Sequence, residues 1–224
     1  MEVAMFEIFS LQNLFLRILQ TIPLLLISLP VHEFAHAFTA YKFGDYTAKR
    51  DGRLTLNPLA HLDPLGVLCF FFVGFGFAKP VPTNPFLYRK RRKGIFWVAL
   101  AGPLSNLALA FIGGALLKLY VVILASANVQ MSVFGAPMII YLVIEWFVMS
   151  NVFLFLFNLI PIPPLDGHHI LYLFLPDRLV QRIIPYEQIF GFVLIALFLL
   201  GNLGSGLNIV AQPIISFIHR LFNI

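Results

Sequence analysis

The chain has 224 residues, of which 60% are hydrophobic and only 11% charged, with a mean hydropathy of +0.90 and a formal net charge of +5. An ordinary soluble domain carries about 25% charged residues, so this composition excludes a conventional soluble fold and points to a polytopic membrane protein. The basic surplus lies in short loops between apolar runs, which fits membrane orientation rather than nucleic-acid binding. A single cysteine, Cys69, excludes a disulfide framework and a Cys-rich zinc site.

Met1–Ser10 carries Glu2 and Glu7 and no basic residue, so no cleavable signal peptide is expected there. A first membrane span is predicted from about Leu14 to Phe43, with kinks at Pro23 and Pro30. The polar stretch Gly44–Asp63 comes next, and its Asp51-Gly52 pair between short alternating runs predicts a hairpin, hence a small β element. Pro64–Ala78 is apolar but shorter than the roughly 20 residues a comfortable crossing needs, and it reads as a re-entrant segment ended by Pro80, Pro82 and Pro85. The basic run Arg89–Lys93 is a topology anchor for lipid head groups. Further spans are predicted at about Ile95–Ala125, Met138–Leu159 and Glu187–Leu200. The tail Asn208–Ile224 is either a fifth crossing or an interfacial helix. The expected fold is an all-α polytopic membrane bundle with a small membrane-associated β element and a re-entrant segment. Residues 1–224 form one membrane-embedded domain, with its core at about 14–175 and peripheral helices at about 186–224.

Ten of the fifteen Lys and Arg residues fall between Lys42 and Lys93, and Arg178 and Arg182 lie after the third span. If Pro64–Ala78 does not cross, all twelve share one face, which the positive-inside rule makes cytoplasmic. The expected location is therefore multi-pass in a membrane, with the site opening to the cytoplasm.

Within the first span lies His32-Glu33-Phe34-Ala35-His36. Histidines at i and i+4 share one helix face, so both imidazoles reach one metal ion, and the adjacent Glu33 carboxylate is placed to act as a base. By chance, a chain of this composition contains such a pattern only about 0.004 times. At 1.5 Å per residue the pair lies roughly 9–15 Å in from the Lys42 end. Polar groups at that depth are functional by default. A catalytic zinc keeps three protein ligands and one open position. Asp166, in the Pro-rich run after the third span, is the candidate third ligand, and His168 and His169 are its rivals. Asn106 is either a catalytic polar group or interhelical glue. Asn158 and Glu145 are weaker candidates, and His61 reads as a loop residue.

Several segments together resemble the site-2 protease family of intramembrane zinc metalloproteases. They are His32–His36, Ala101-Gly102-Pro103-Leu104-Ser105-Asn106, Gly76-Phe77-Ala78-Lys79-Pro80-Val81-Pro82, and Asn158 through Gly167. The resemblance spans roughly Leu24 to Leu173. It implies His32, His36 and Asp166 as ligands of one Zn2+ per chain, Glu33 as general base, and Asn106 as a stabiliser of substrate or oxyanion. His168 departs from the second glycine that related sequences commonly carry there. Neither a PDZ nor a CBS domain is expected. The implied activity is hydrolysis of peptide bonds in or near transmembrane segments, with a transmembrane protein as substrate, the lipid bilayer as surroundings and no nucleic acid. A substrate helix must unwind to be cut, and the Gly74–Pro82 or Arg53–Asn57 edge is expected to hold it by strand addition. The rival functions are a metal-dependent transporter, in which Glu33 has no evident use, and an inactive relative that binds transmembrane segments without cutting.

Overall fold

A computed structural model describes residues 11–73, 76, 78–132, 135–200 and 202–224. The first membrane helix is continuous but changes register: α1 (Leu11–Pro23), one π turn (Leu24–Ser28) and α2 (Leu29–Lys42). Pro30 has no N–H to offer the carbonyl four residues back, and the wider turn, closed by Leu29 N–H on Leu24 O, absorbs that break. The motif histidines therefore sit immediately after a register shift.

Glycines terminate both α2 and the short helix after it. α2 stops at Gly44 (φ +104°), with Gly44 N–H on Tyr41 O and Asp45 N–H on Ala40 O. The short α3 (Thr47–Arg50) ends likewise at Gly52 (φ +67°), with Gly52 N–H on Lys49 O and Arg53 N–H on Ala48 O. Both are Schellman caps, which need a left-handed residue that glycine supplies without a Cβ penalty. The predicted Asp51-Gly52 hairpin is thus a helix C-cap. No strand forms among the described residues, and sheet-like pairing is limited to one antiparallel bridge between Leu62 and Ala78.

α4 (Pro64–Val73) has ten residues, about 15 Å of helix, well short of a bilayer core about 30 Å thick. α5 (Arg91–Ser126) and α6 (Ala136–Asn158) are long enough to cross. With Phe15–Lys42 they make three candidate spans among the described residues, which identifies an integral membrane protein. α7 (Gly167–Tyr172) and α8 (Asp177–Ile183) are short. α9 (Glu187–Leu199) has 13 residues, too few for the fourth crossing expected there. The long element of the tail is α10 (Asn202–Phe222).

α5 and α6 form the centre of the bundle. Their Ala110, Val148 and Val152 bury against Ala211, Ile215 and Ile218 of α10. Small residues allow this closeness: a Cβ on Gly113 would meet Val148 and Phe147, and one on Gly114 would meet Ile218 and Phe222. Glu145 on α6 pairs with His219 on α10, Nε2 to Oε1 3.2 Å, so the one acid inside that span is matched by a partner on the tail helix. A second cluster, Phe157, Leu165 and Leu194, draws α9 over the end of α6.

Candidate metal centre

His32 and His36, one turn apart on α2, both face α5 and are buried. Their Nε2 atoms lie 3.0 Å apart. Asp166, in the turn that leads into α7, places Oδ2 3.2 Å from His32 Nε2 and 3.3 Å from His36 Nε2. One ligand atom from each residue falls within 4.8 Å of the others. Residues far apart in sequence are thus brought to one point by α2 and by the loop after α6.

The second nitrogen of each imidazole is already committed. His36 Nδ1 donates to Val98 O at 2.6 Å, and His32 Nδ1 donates to Asn106 Oδ1 at 3.0 Å. An N–H on Nδ1 leaves a lone pair on Nε2, the form in which histidine binds a metal. Asp166 Oδ2 is buried and has no hydrogen-bond donor. Two neutral imidazoles and one carboxylate, converging with an orphaned oxygen, fit a zinc ion and leave room for water.

α5 makes this approach possible through Gly102. A Cβ there would come within 2.6 Å of His32 Nε2 and closer still to His36 Nε2. Sequence reasoning singles out Asn106 from the Gly102–Asn106 stretch and misses Gly102 as a site residue. Its role is to be absent where the imidazoles stand, and only long-range packing reveals that. Asn106 itself is fully buried, and its Nδ2 has no partner.

Glu33 projects into the same cavity, where its Oε2 accepts from Val81 N–H at 2.8 Å. The cavity is about 400 Å³ and is lined by Glu33, Asn106, Asn158, Asp166 and His169 among apolar residues of α2, α5, α6 and α9. His168 points elsewhere, with its Nδ1 donating to Leu165 O at 2.5 Å. Asn158 Nδ2 donates to Leu154 O at 3.0 Å on its own helix. His61 is buried away from the donor cluster, Nε2 2.8 Å from Thr55 O. Of the edges expected to hold substrate, Gly74, Phe75 and Phe77 lie outside the described residues, and Arg53–Asn57 is not a strand.

The chain matches the model of peptidase family M50 over residues 20–201. It is 42% identical over 181 residues to "Putative zinc metalloprotease YwhC" of Bacillus subtilis, covering 81% of this chain and 80% of that protein. Rip2 of Mycolicibacterium smegmatis, whose name has the same form, is 34% identical over 78% of this chain and 64% of its own length. Rip2 of Mycobacterium tuberculosis strain H37Rv is 31% identical over 80% and 66%. No solved structure matches significantly. With the family pattern covering most of its length and its motif histidines converging on an aspartate, the chain belongs to peptidase family M50, the site-2 protease family of intramembrane zinc metalloproteases.

Proposed function

We propose that this metalloprotease cuts peptide bonds in or near transmembrane segments of other membrane proteins. In this reading it holds one zinc ion per chain on His32 Nε2, His36 Nε2 and Asp166. The observation that carries the reading is the convergence of those three donors, with each Nδ1 tied to an oxygen and Glu33 beside them. Zinc, when bound, supplies Lewis-acid polarisation of the scissile carbonyl and lowers the pKa of a water. Glu33 takes the proton of the attacking water and passes it to the leaving amine as the C–N bond breaks. Val81 N–H holds Oε2, and the other carboxylate oxygen carries the proton. Asn106 uses Oδ1 to orient His32, and its unpaired Nδ2 donates to the substrate carbonyl oxygen as charge develops there. The apolar walls of the cavity exclude bulk water and suit apolar side chains.

The reading extends to topology. Pro64–Ala78, built around α4, enters the membrane and returns, so that the basic loops and the mouth of the site share the cytoplasmic face of a cell membrane. Purified protein in liposomes with a single-span reporter tests the function. Cleavage that stops on chelation and returns with zinc is the expected result. Zinc-dependent ion flux without cleavage would make the chain a transporter, and binding of the reporter without cleavage would make it an inactive relative.

A further inference from the structure

Five hydrogen bonds to its backbone hold the segment Lys79–Asn84 against the cavity of the site. Lys79 N–H donates to His61 O at 2.8 Å. Arg53 Nη2 donates to Lys79 O at 2.6 Å and reaches Pro80 O at 3.3 Å. Val81 N–H donates to Glu33 Oε2 at 2.8 Å, and Asn84 N–H donates to Asp45 Oδ2 at 2.6 Å. Asp45 and Arg53 are both buried, and each comes immediately after the glycine of a Schellman cap. The two caps thus deliver an acid and a base to the strap.

Arg53 is the unusual member. Burying a guanidinium is costly unless it is well paired. Among the described residues no carboxylate lies within ion-pair distance of it. Its hydrogen bonds go to the two carbonyls that immediately precede the Val81 N–H, so its side chain fixes the peptide plane whose donor meets Glu33. Proline on both sides of Val81 restricts that backbone further.

We propose that Arg53 is a positioning residue for proteolysis: through the Lys79 and Pro80 carbonyls it aims Val81 N–H at Glu33 and so holds that carboxylate in its working rotamer. The proposal rests on Glu33 being the general base. Arg53 touches neither substrate nor metal, and its effect passes through one peptide N–H. A loose Glu33 keeps the ligand set and the cavity but loses the geometry of proton transfer, and small misplacements of that kind cost up to about 100-fold in rate.

The test is a double-mutant cycle in the full-length protein, in liposomes with a transmembrane reporter. Arg53→Ala removes the clamp. Val81→Pro removes the N–H and sets the ring Cδ where Glu33 Oε2 was held, so it breaks the same contact from the other side, and a residue before proline already favours the extended backbone that proline adopts. Each variant is expected to lower kcat by about 10–100-fold with KM and zinc content unchanged. The double variant should be no slower than the worse single one, because both act on the same contact. Arg53→Lys, which keeps a donor of the right charge, should recover part of the rate. Wild-type kcat in Val81→Pro would overturn the proposal even if Arg53→Ala failed to fold. Multiplying losses in the double variant, loss of zinc in Arg53→Ala, or a rise in kcat would also overturn it, the last making the strap a brake. Glu33→Gln run alongside separates the two readings. If it is inactive while both strap variants are normal, only the Arg53 role falls. If it is itself active, the base assignment falls.

Discussion

Asn106 Oδ1 lies 3.0 Å from His32 Nδ1, across 74 residues of sequence, and this contact couples the helix α5 to the motif histidines. The oxygen serves the imidazole, while the amide nitrogen is buried with no partner. The two ends of one side chain therefore predict two separable effects. Asn106→Asp keeps an acceptor for His32 and loses the N–H donor, so zinc should be retained while turnover falls about 100-fold, the scale of a lost oxyanion donor. Asn106→Ala removes both and should also weaken zinc about 10–100-fold. Zinc affinity by chelator competition and reporter cleavage measure the pair. Full turnover in Asn106→Asp would leave Asn106 with an orienting role alone.

Glu33 is in the cavity but is not among the converging donors, whereas both histidines are. Glu33→Gln should keep one zinc per chain and lose about 10²–10⁴-fold in rate. His32→Ala and His36→Ala should lose zinc and activity together. Elemental analysis of purified variants beside their cleavage rates checks both halves. Loss of zinc in Glu33→Gln would turn this residue into a ligand.

Gly102 leaves the space in which the two imidazoles meet. A methyl group there overlaps His36 Nε2 and His32 Nε2, the two atoms proposed to bind the metal. Overpacking of this kind costs about 1–3 kcal/mol, and here the strain falls on the ligand set. Gly102→Ala is expected to weaken zinc binding by tenfold or more, on the scale of about 1.4 kcal/mol per decade, while the protein still inserts and purifies. Zinc affinity equal to wild type would mean that α5 slides aside at no cost.

The histidine pair is legible in the sequence because it is a local pattern: i and i+4 on one helix dictate a shared face whatever surrounds them. Asp166 is legible only together with topology, since its carboxylate meets the histidines only because α5 and α6, which lie between them in sequence, run out and back. Arg53 reads as one more cytoplasmic charge, because burial of a loop cation depends on contacts with Lys79 and Pro80 that no local pattern encodes. Asp51-Gly52 reads as a hairpin because a glycine with positive φ serves hairpins and helix caps equally, and a four-residue helix is too short to show a 3.6 period. The sequence leaves the tail open, because Asn208, Gln212, His219 and Arg220 lower the hydropathy of α10; its Ala211, Ile215 and Ile218 pack on the bundle centre and His219 pairs with Glu145 there, contacts that only the tertiary structure supplies.

Asp166 and His168 are two residues apart, but only Asp166 faces the histidines. His168 is turned back onto Leu165 O by its Nδ1. Asp166→Ala should therefore abolish zinc binding, and His168→Ala should keep the metal at a stability cost of about 1 kcal/mol from the lost hydrogen bond. Zinc content and thermal unfolding of the two variants decide it. Zinc kept in Asp166→Ala and lost in His168→Ala would reverse the ligand assignment.

Orientation is the last prediction, and charge motivates it. Arg50, Arg53 and Arg89–Arg92 share one face only if Pro64–Ala78 does not cross, and α4 at ten residues is too short to do so as a helix. Single cysteines at Lys49 and Lys90, with Cys69 replaced, can be challenged with an impermeant maleimide in vesicles of known orientation. Both positions are exposed, so accessibility does not limit the label. Both should react from the cytoplasmic face and neither from the other. Labelling from opposite faces would establish a true crossing. A full crossing would reverse the direction in which α5 and α6 run relative to Lys49. The mouth beneath the Lys79–Asn84 strap would then no longer share a face with the basic loop that precedes it.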